Sequence, residues 1–336
     1  MVTPLIALTL VAFAVPKPAQ DADSAVEKLA ERQLAAPLAP VEFLLTGEWR
    51  TVAANGTERR QAWTPGPGGF SLMSVTSSTE VEDGGPSGSF SAVYRHPQRN
   101  ELVLLGLSGR ALIQTGTVAA GKDRSLRLDA TLFYGEEKLA WSPAPTRRIS
   151  TAWSIESDDR FFAYWIEDQG QPVPRELTNW EYTRHDEVTP VPASASAQPK
   201  HVDVLKPLLP FLAAEWETDT ARTTFSWVPY NEAILVRTVD RRTKRVASTT
   251  ILYPHPHTGA IHAVTLHASG AVDEGRATAA DGALSLRAER ADSNGSIRIE
   301  RRFELPDSET LRARTWSLAG DGRALLDDVT HRALAD

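Results

Sequence analysis

Apolar and polar positions alternate along most of this chain in short runs. Phe70-Ser71-Leu72-Met73-Ser74-Val75, Glu101-Leu102-Val103-Leu104-Leu105 and Leu126-Arg127-Leu128-Asp129-Ala130 are examples. Clusters of Gly, Pro, Asn or Asp break the runs about every eight to twelve residues, the spacing of an antiparallel sandwich or barrel. No helical period of useful length interrupts them. The segments around residues 79–89 and 141–146 read as loops.

The pattern occurs twice. Val41-Glu42-Phe43-Leu44-Leu45-Thr46-Gly47-Glu48-Trp49 returns as Leu209-Pro210-Phe211-Leu212-Ala213-Ala214-Glu215-Trp216. An aromatic strand follows each copy, ending at Trp63 or Trp227, and then Tyr94-Arg95-His96-Pro97 or Tyr253-Pro254-His255-Pro256 opens a turn. Each unit is large enough to bury its own core, unlike a solenoid repeat. The expected fold is therefore all-β, with two tandem antiparallel barrels, each led by a short helix. Residues 41–187 form the first barrel, and residues 201–336 the second. Residues 188–200, rich in Pro, Ala and Ser, are the linker. Counting strands in the second copy gives eight or more, enough to close a sheet and abolish its edges.

Residues 1–19 carry an apolar core too short to span a bilayer and suited to a signal peptide, although no Lys or Arg precedes it. Export to the periplasm or beyond is the expectation. Residues 20–40 then serve as a helical tether, with Ser24 and Glu27 as a capping box and Pro37 and Pro40 as its stop. No other stretch is long and apolar enough to be a membrane span.

The 336 residues include no cysteine and sum to a formal charge of −7. Disulfides, thiolate ligands and a cysteine nucleophile are thereby excluded. The acidic total argues against nucleic acid as a partner, since that requires a basic face.

Phe43-Leu44-Leu45-Thr46-Gly47-Glu48-Trp49 and its second copy resemble the opening signature of lipocalin-like members of the calycin superfamily, in particular exported bacterial ones. The resemblance implies barrels with an interior cavity for a small apolar or amphipathic molecule. It also implies a Trp across each closed end, against a basic residue of the last strand: Trp49 with Arg184, and Trp216 with Arg332, in cation–π contact. Copy two has Ala214 where copy one has Gly47, so the backbone at the two floors need not match.

Candidate chemistry is sparse. His255, His257, His262 and His267 form the only dense histidine set, but strand parity sends His262 and His267 to opposite faces, which disfavours a shared metal. A haem site, as in the haem-binding barrels of the same broad group, needs an inward axial histidine; only His267 has that parity. Neither metal nor cofactor is expected. Period-two geometry turns Arg301 inward with Ile297, Ile299, Phe303 and Leu305, and Arg147 inward with Ile149, Thr151, Trp153 and Ile155. An inward Arg requires a partner, either an internal acid or a ligand carboxylate. The candidate ligand residues are thus Arg147, Trp153, Arg301 and Phe303. Trp63, Trp153, Trp165, Trp227 and Trp316 are expected to add apolar surface inside the barrels, as core or as cavity wall.

No nucleophile elbow, triad or phosphate loop is present, so no catalytic residue is assigned. Non-catalytic binding of a small molecule is the first expectation. A barrel enzyme would need an inward acid–base group, and an interaction module would have filled barrels.

Overall fold

The computed structural model describes residues 35–45, 47–53, 56–82, 85–108, 112–134, 146–174, 178–191, 203–229, 233–280, 282–320 and 322–334. The expected signal peptide, the Ser24 capping box and most of the linker lie outside them. No helix among the described residues is long and apolar enough to cross a membrane.

The alternating runs become strands. In the first half these are β1 (Glu48–Val52), β2 (Glu58–Pro65), β3 (Ser71–Glu82), β4 (Gly85–His96), β5 (Glu101–Ser108), β6 (Leu112–Ala120), β7 (Ser125–Phe133), β8 (Thr146–Ser157), β9 (Arg160–Asp168), β10 (Gln171–Pro172) and β11 (Asn179–His185). The second half holds β12 (Trp216–Glu217), β13 (Ala221–Trp227), β14 (Ile234–Asp240), β15 (Val246–Pro254), β16 (Ile261–His267), β17 (Val272–Ala280), β18 (Ala283–Asp292), β19 (Gly295–Glu304), β20 (Thr310–Ala319) and β21 (Gly322–Ala333). Each half is an antiparallel meander closed into a ten-stranded barrel. β8 closes on β9 in barrel one, with β10 an outlying strand on β9, and β12 closes on β21 in barrel two. The expected loop at residues 79–89 is instead mostly the arms of the β3–β4 hairpin.

A 3-10 helix plugs the floor of each barrel, Ala36–Leu45 in the first and Asp203–Ala213 in the second. Pro40 does not stop the first; it lies inside it, as Pro207 and Pro210 lie inside the second. A proline's fixed φ suits this helix type. Side chains three apart eclipse one another in a 3-10 helix. Leu38, Val41 and Leu44, and likewise Leu205, Leu208 and Phe211, therefore form one buried edge each. The edge packs on the floor Trp: the indole N–H of Trp49 donates to the Leu44 carbonyl at 3.2 Å, and that of Trp216 to Phe211 at 3.0 Å.

The barrels pack side by side through the outer faces of β4–β6 and β14–β17. Phe90, Ala92, Tyr94, Val103 and Leu105 meet Ile251, Tyr253, Val264, Leu266 and Val272 in one apolar seam. The seam joins equivalent strands in opposite directions. Phe70, by the floor of barrel one, abuts Gly270 at the far end of barrel two, while Phe133 at the far end of barrel one lies 5.0 Å from the ring of His255 by the floor of barrel two. Tyr94 donates to Glu274 Oε1 across the seam at 2.7 Å, and Arg99 reaches the same oxygen at 3.2 Å.

Candidate ligand cavities in the two barrel lumens

Strand pairing fixes which side chains face the lumen, because directly opposed residues share a face. In barrel one the inward residues of β3 to β6 toward the mouth are mostly polar or small, Thr76 and Ser78, Ser89 and Ser91, Gly106 and Ser108, and Gln114, with Leu104 and Leu112 among them. Across from them Trp153, Phe161, Trp165, Trp180 and Tyr182 face inward from β8, β9 and β11. A cavity of about 580 Å³ lies between these walls, lined also by Arg59, Gln61, Trp63, Leu128, Leu132 and Ile149. Phe161 and Tyr182 stack with centroids 4.6 Å apart and planes 4° apart, and Trp165 and Trp180 lie 6.0 Å apart. The hydroxyl wall offers hydrogen bonds, and the aromatic wall offers flat apolar contact. The cavity is thus two-sided.

The hydroxyl wall was readable in the sequence and went unread. Ser74, Thr76 and Ser78, and then Ser87, Ser89 and Ser91, occupy every second position of two consecutive strands. That is the signature of a polar face in a strand whose other face is buried.

The register also aligns the two lumens residue by residue. Ser108, Gln114, Leu132 and Thr151 of barrel one correspond to His267, Asp273, Arg290 and Arg301 of barrel two. Four neutral positions have become charged or titratable ones. Asp273, 3% exposed, accepts from Arg290 Nε at 2.7 Å and Nη2 at 2.9 Å, and from His267 Nε2 at 2.9 Å. Burial opposes its ionisation, but the bonds from Arg290 and His267 outweigh that and hold its carboxyl well below the usual range. For His267 burial wins, lowering its pKa although Asp273 pulls the other way. The inward histidine of β16 is thus engaged with an acid, while a second inward strand histidine, which parity did not single out, is His331 of β21. Among the described residues, no group of three or more His, Asp or Glu is arranged to hold a metal.

Arg301 faces inward as its parity predicts, opposite Leu286 and Thr315. Its hydrogen bond is from Nε to Thr315 Oγ1, at 3.4 Å. Burial lowers its pKa from the ordinary guanidinium value, with the charge of Asp273 opposing. Phe303, one inward position below, is core: it meets Phe225 edge-on at 5.8 Å.

Arg147 also faces inward, but it aligns with Ile297 rather than with Arg301. Asp168 grips its guanidinium in a two-pronged pair that includes Nε to Oδ1 at 2.5 Å, and Trp165 lies beneath at 5.4 Å. An internal acid is therefore its partner. Trp153, by contrast, lines the cavity.

The floor differs from expectation. Arg184 stands directly opposite Trp49, yet its guanidinium pairs with Asp159 at 2.6 Å, and Trp49 is enclosed by Phe43 and Phe161 instead. Arg332 is not a floor residue at all. It opposes Glu217 on the outer face, and Ala333 stands opposite Trp216, while buried His331 takes the next inward position toward the mouth. One residue of offset reverses the face of a strand position. Trp63 matches Phe225 rather than Trp227, and Trp316 turns outward beneath Arg323, 3.5 Å from the ring centroid. Ala214 lacks the left-handed φ of +75° that Gly47 adopts, so the two floors do differ in backbone.

No model of a known protein family matches the sequence, and no curated protein matches it. Among solved structures, a Nostoc punctiforme protein of the DUF3598 family, itself of unknown function, is similar at 11% identity. The match covers 90% of this chain and 100% of that one with a TM-score of 0.18, a likeness too slight to bear on function.

Proposed function

We propose that this chain is an exported, lipocalin-like binding protein that holds a small amphipathic molecule in the lumen of barrel one without transforming it. The observation that carries this reading is the cavity of about 580 Å³ between an aromatic wall and a hydroxyl wall. That volume lies within the range of about 300–1,000 Å³ usual for small-molecule sites. Burial of ligand surface against Trp153, Phe161 and Tyr182 would supply affinity. Hydrogen bonds to Ser89, Ser91 and Gln114 would orient the polar edge. Export belongs to the same proposal: protein recovered from the envelope should have a mass lacking residues 1–19, and a full-length mass would count against it.

The binding reading is tested by filling the lumen. Ser91→Phe puts a ring into the cavity from β4. The variant should keep its fold by circular dichroism and bind a flat apolar fluorophore such as N-phenyl-1-naphthylamine at least about tenfold more weakly, a loss of about 1.4 kcal/mol. Unchanged uptake by the folded variant would place the dye elsewhere and remove the lumen as the site.

A further inference from the structure

The charged positions of barrel two occupy the places that line the cavity of barrel one. Arg290 and His267 are both directed to Asp273, so the two oxygens of that carboxylate are committed. Arg301 has no such acid. Among the described residues its one hydrogen bond is the 3.4 Å contact to Thr315, and no carboxylate lies within ion-pair distance. Asp327, opposite Thr315 on β21, shares that face and is solvent-exposed; its charge and that of Asp273 reach Arg301, but neither carboxylate pairs with the guanidinium. Arg301 is half-buried at an inward position, so the area it presents faces the lumen.

The side chains around it are smaller than their counterparts in barrel one. Trp165 and Trp180 of barrel one are replaced in register by Thr315 and Val329. Inward-facing Ile297 is 47% exposed, which marks the lumen as open at this end. A guanidinium withdrawn from water without an acid is costly, and its planar fork matches a carboxylate in two-pronged geometry.

We propose that the lumen of barrel two is a second binding site, for a small molecule bearing a carboxylate, with Arg301 as its anchor and Thr315 holding the guanidinium in place. At the position of Arg301 barrel one has Thr151, so the two lumens differ in the anchor they offer there.

The test uses the full chain carrying Ser91→Phe, so that barrel one does not contribute. Octanoate should bind, and Arg301→Met should weaken it about 10- to 150-fold, the range of a charged hydrogen bond. Octan-1-ol should bind weakly and equally to both. If Arg301→Met fails to fold, Arg301→Lys serves: it keeps the charge, loses the fork, and should show a smaller loss. In a measurement needing no substitution at Arg301, the carboxyl carbon of [1-13C]octanoate should titrate at lower pH when bound than when free. Equal octanoate affinity with and without Arg301, octan-1-ol binding as tightly as octanoate, no octanoate binding at all, or an unshifted carboxyl titration would each overturn the proposal. None of these outcomes bears on barrel one.

Discussion

Two glycines separate space from conformation. Gly47 and Gly56 both have φ in the left-handed region, +75° and +84°. A Cβ at Gly47 would lie 2.2 Å from the carbonyl oxygen of His185, whereas at Gly56 nothing lies within 4 Å. Gly56→Ala should cost only conformational strain, about 1–2 kcal/mol. Gly47→Ala must also push the last strand off the first, and should cost more than about 3 kcal/mol in urea unfolding. Equal costs would mean that the β1–β11 closure tolerates a shift. At this scale the sequence was informative about parity and silent about partners. Arg147 and Arg301 were both legible as inward, but only the fold brings Asp168 to the first and leaves the second with Thr315. Arg332 was misread because a floor position was inferred by likeness, and a one-residue difference in strand offset cannot be read without the register of β12 on β21.

Among elements, the 3-10 plugs show how a local pattern and a tertiary demand agree. Leu205, Leu208 and Phe211 recur every third residue, and all three are fully enclosed. The lead helix of the second copy was legible, but its 3-10 type was not, because Pro207 and Pro210 break the commoner α-helix and only the enclosed floor selects the period of three. Leu208→Ala should destabilise the protein by about 2–5 kcal/mol, since it removes a fully enclosed side chain from the core of barrel two. Lys206→Ala, on the exposed face of the same helix, should change stability by less than about 0.5 kcal/mol. Similar small effects for both in urea unfolding would show that the helix is not a plug. Strand existence and the twofold repeat were likewise legible, because period-two alternation and turn residues are local properties. The hydroxyl wall of β3 and β4 was equally local and needed only the same parity applied to Ser and Thr. The extent of the β3–β4 hairpin was not legible, because Gly and Pro near its tip read as a loop.

For the whole molecule, closing the barrels and pairing them side by side bury several titratable groups. His255 and His262 lie near the seam and Phe133, His267 and His331 lie in the lumen of barrel two, and His96 approaches Glu274. Burial is the leading cause in each case, and each pKa is lowered from the ordinary histidine value. The folded chain therefore binds fewer protons than the unfolded chain just below pH ~6.5, where free histidine titrates. Stability supplied by these groups is present above that pH and is lost as pH falls toward their folded values. The urea midpoint should be lower at about pH 5.5 than at about pH 7.5, and His267→Gln with His331→Gln should flatten the difference. A midpoint that rises on acidification would contradict the burial of neutral histidines. The seam itself could not be foreseen from alternation, because outward apolar residues such as Val103 and Ile251 read only as strands buried on both faces.

The central claim is that the lumen of barrel one is a ligand site rather than unfilled space. The most direct measurement is native mass spectrometry of the protein purified from its own cells, followed by organic extraction and identification of whatever is released. One stoichiometric amphipathic molecule is expected, lost on Ser91→Phe. A protein mass free of any adduct under gentle ionisation, repeated across growth conditions, would contradict it.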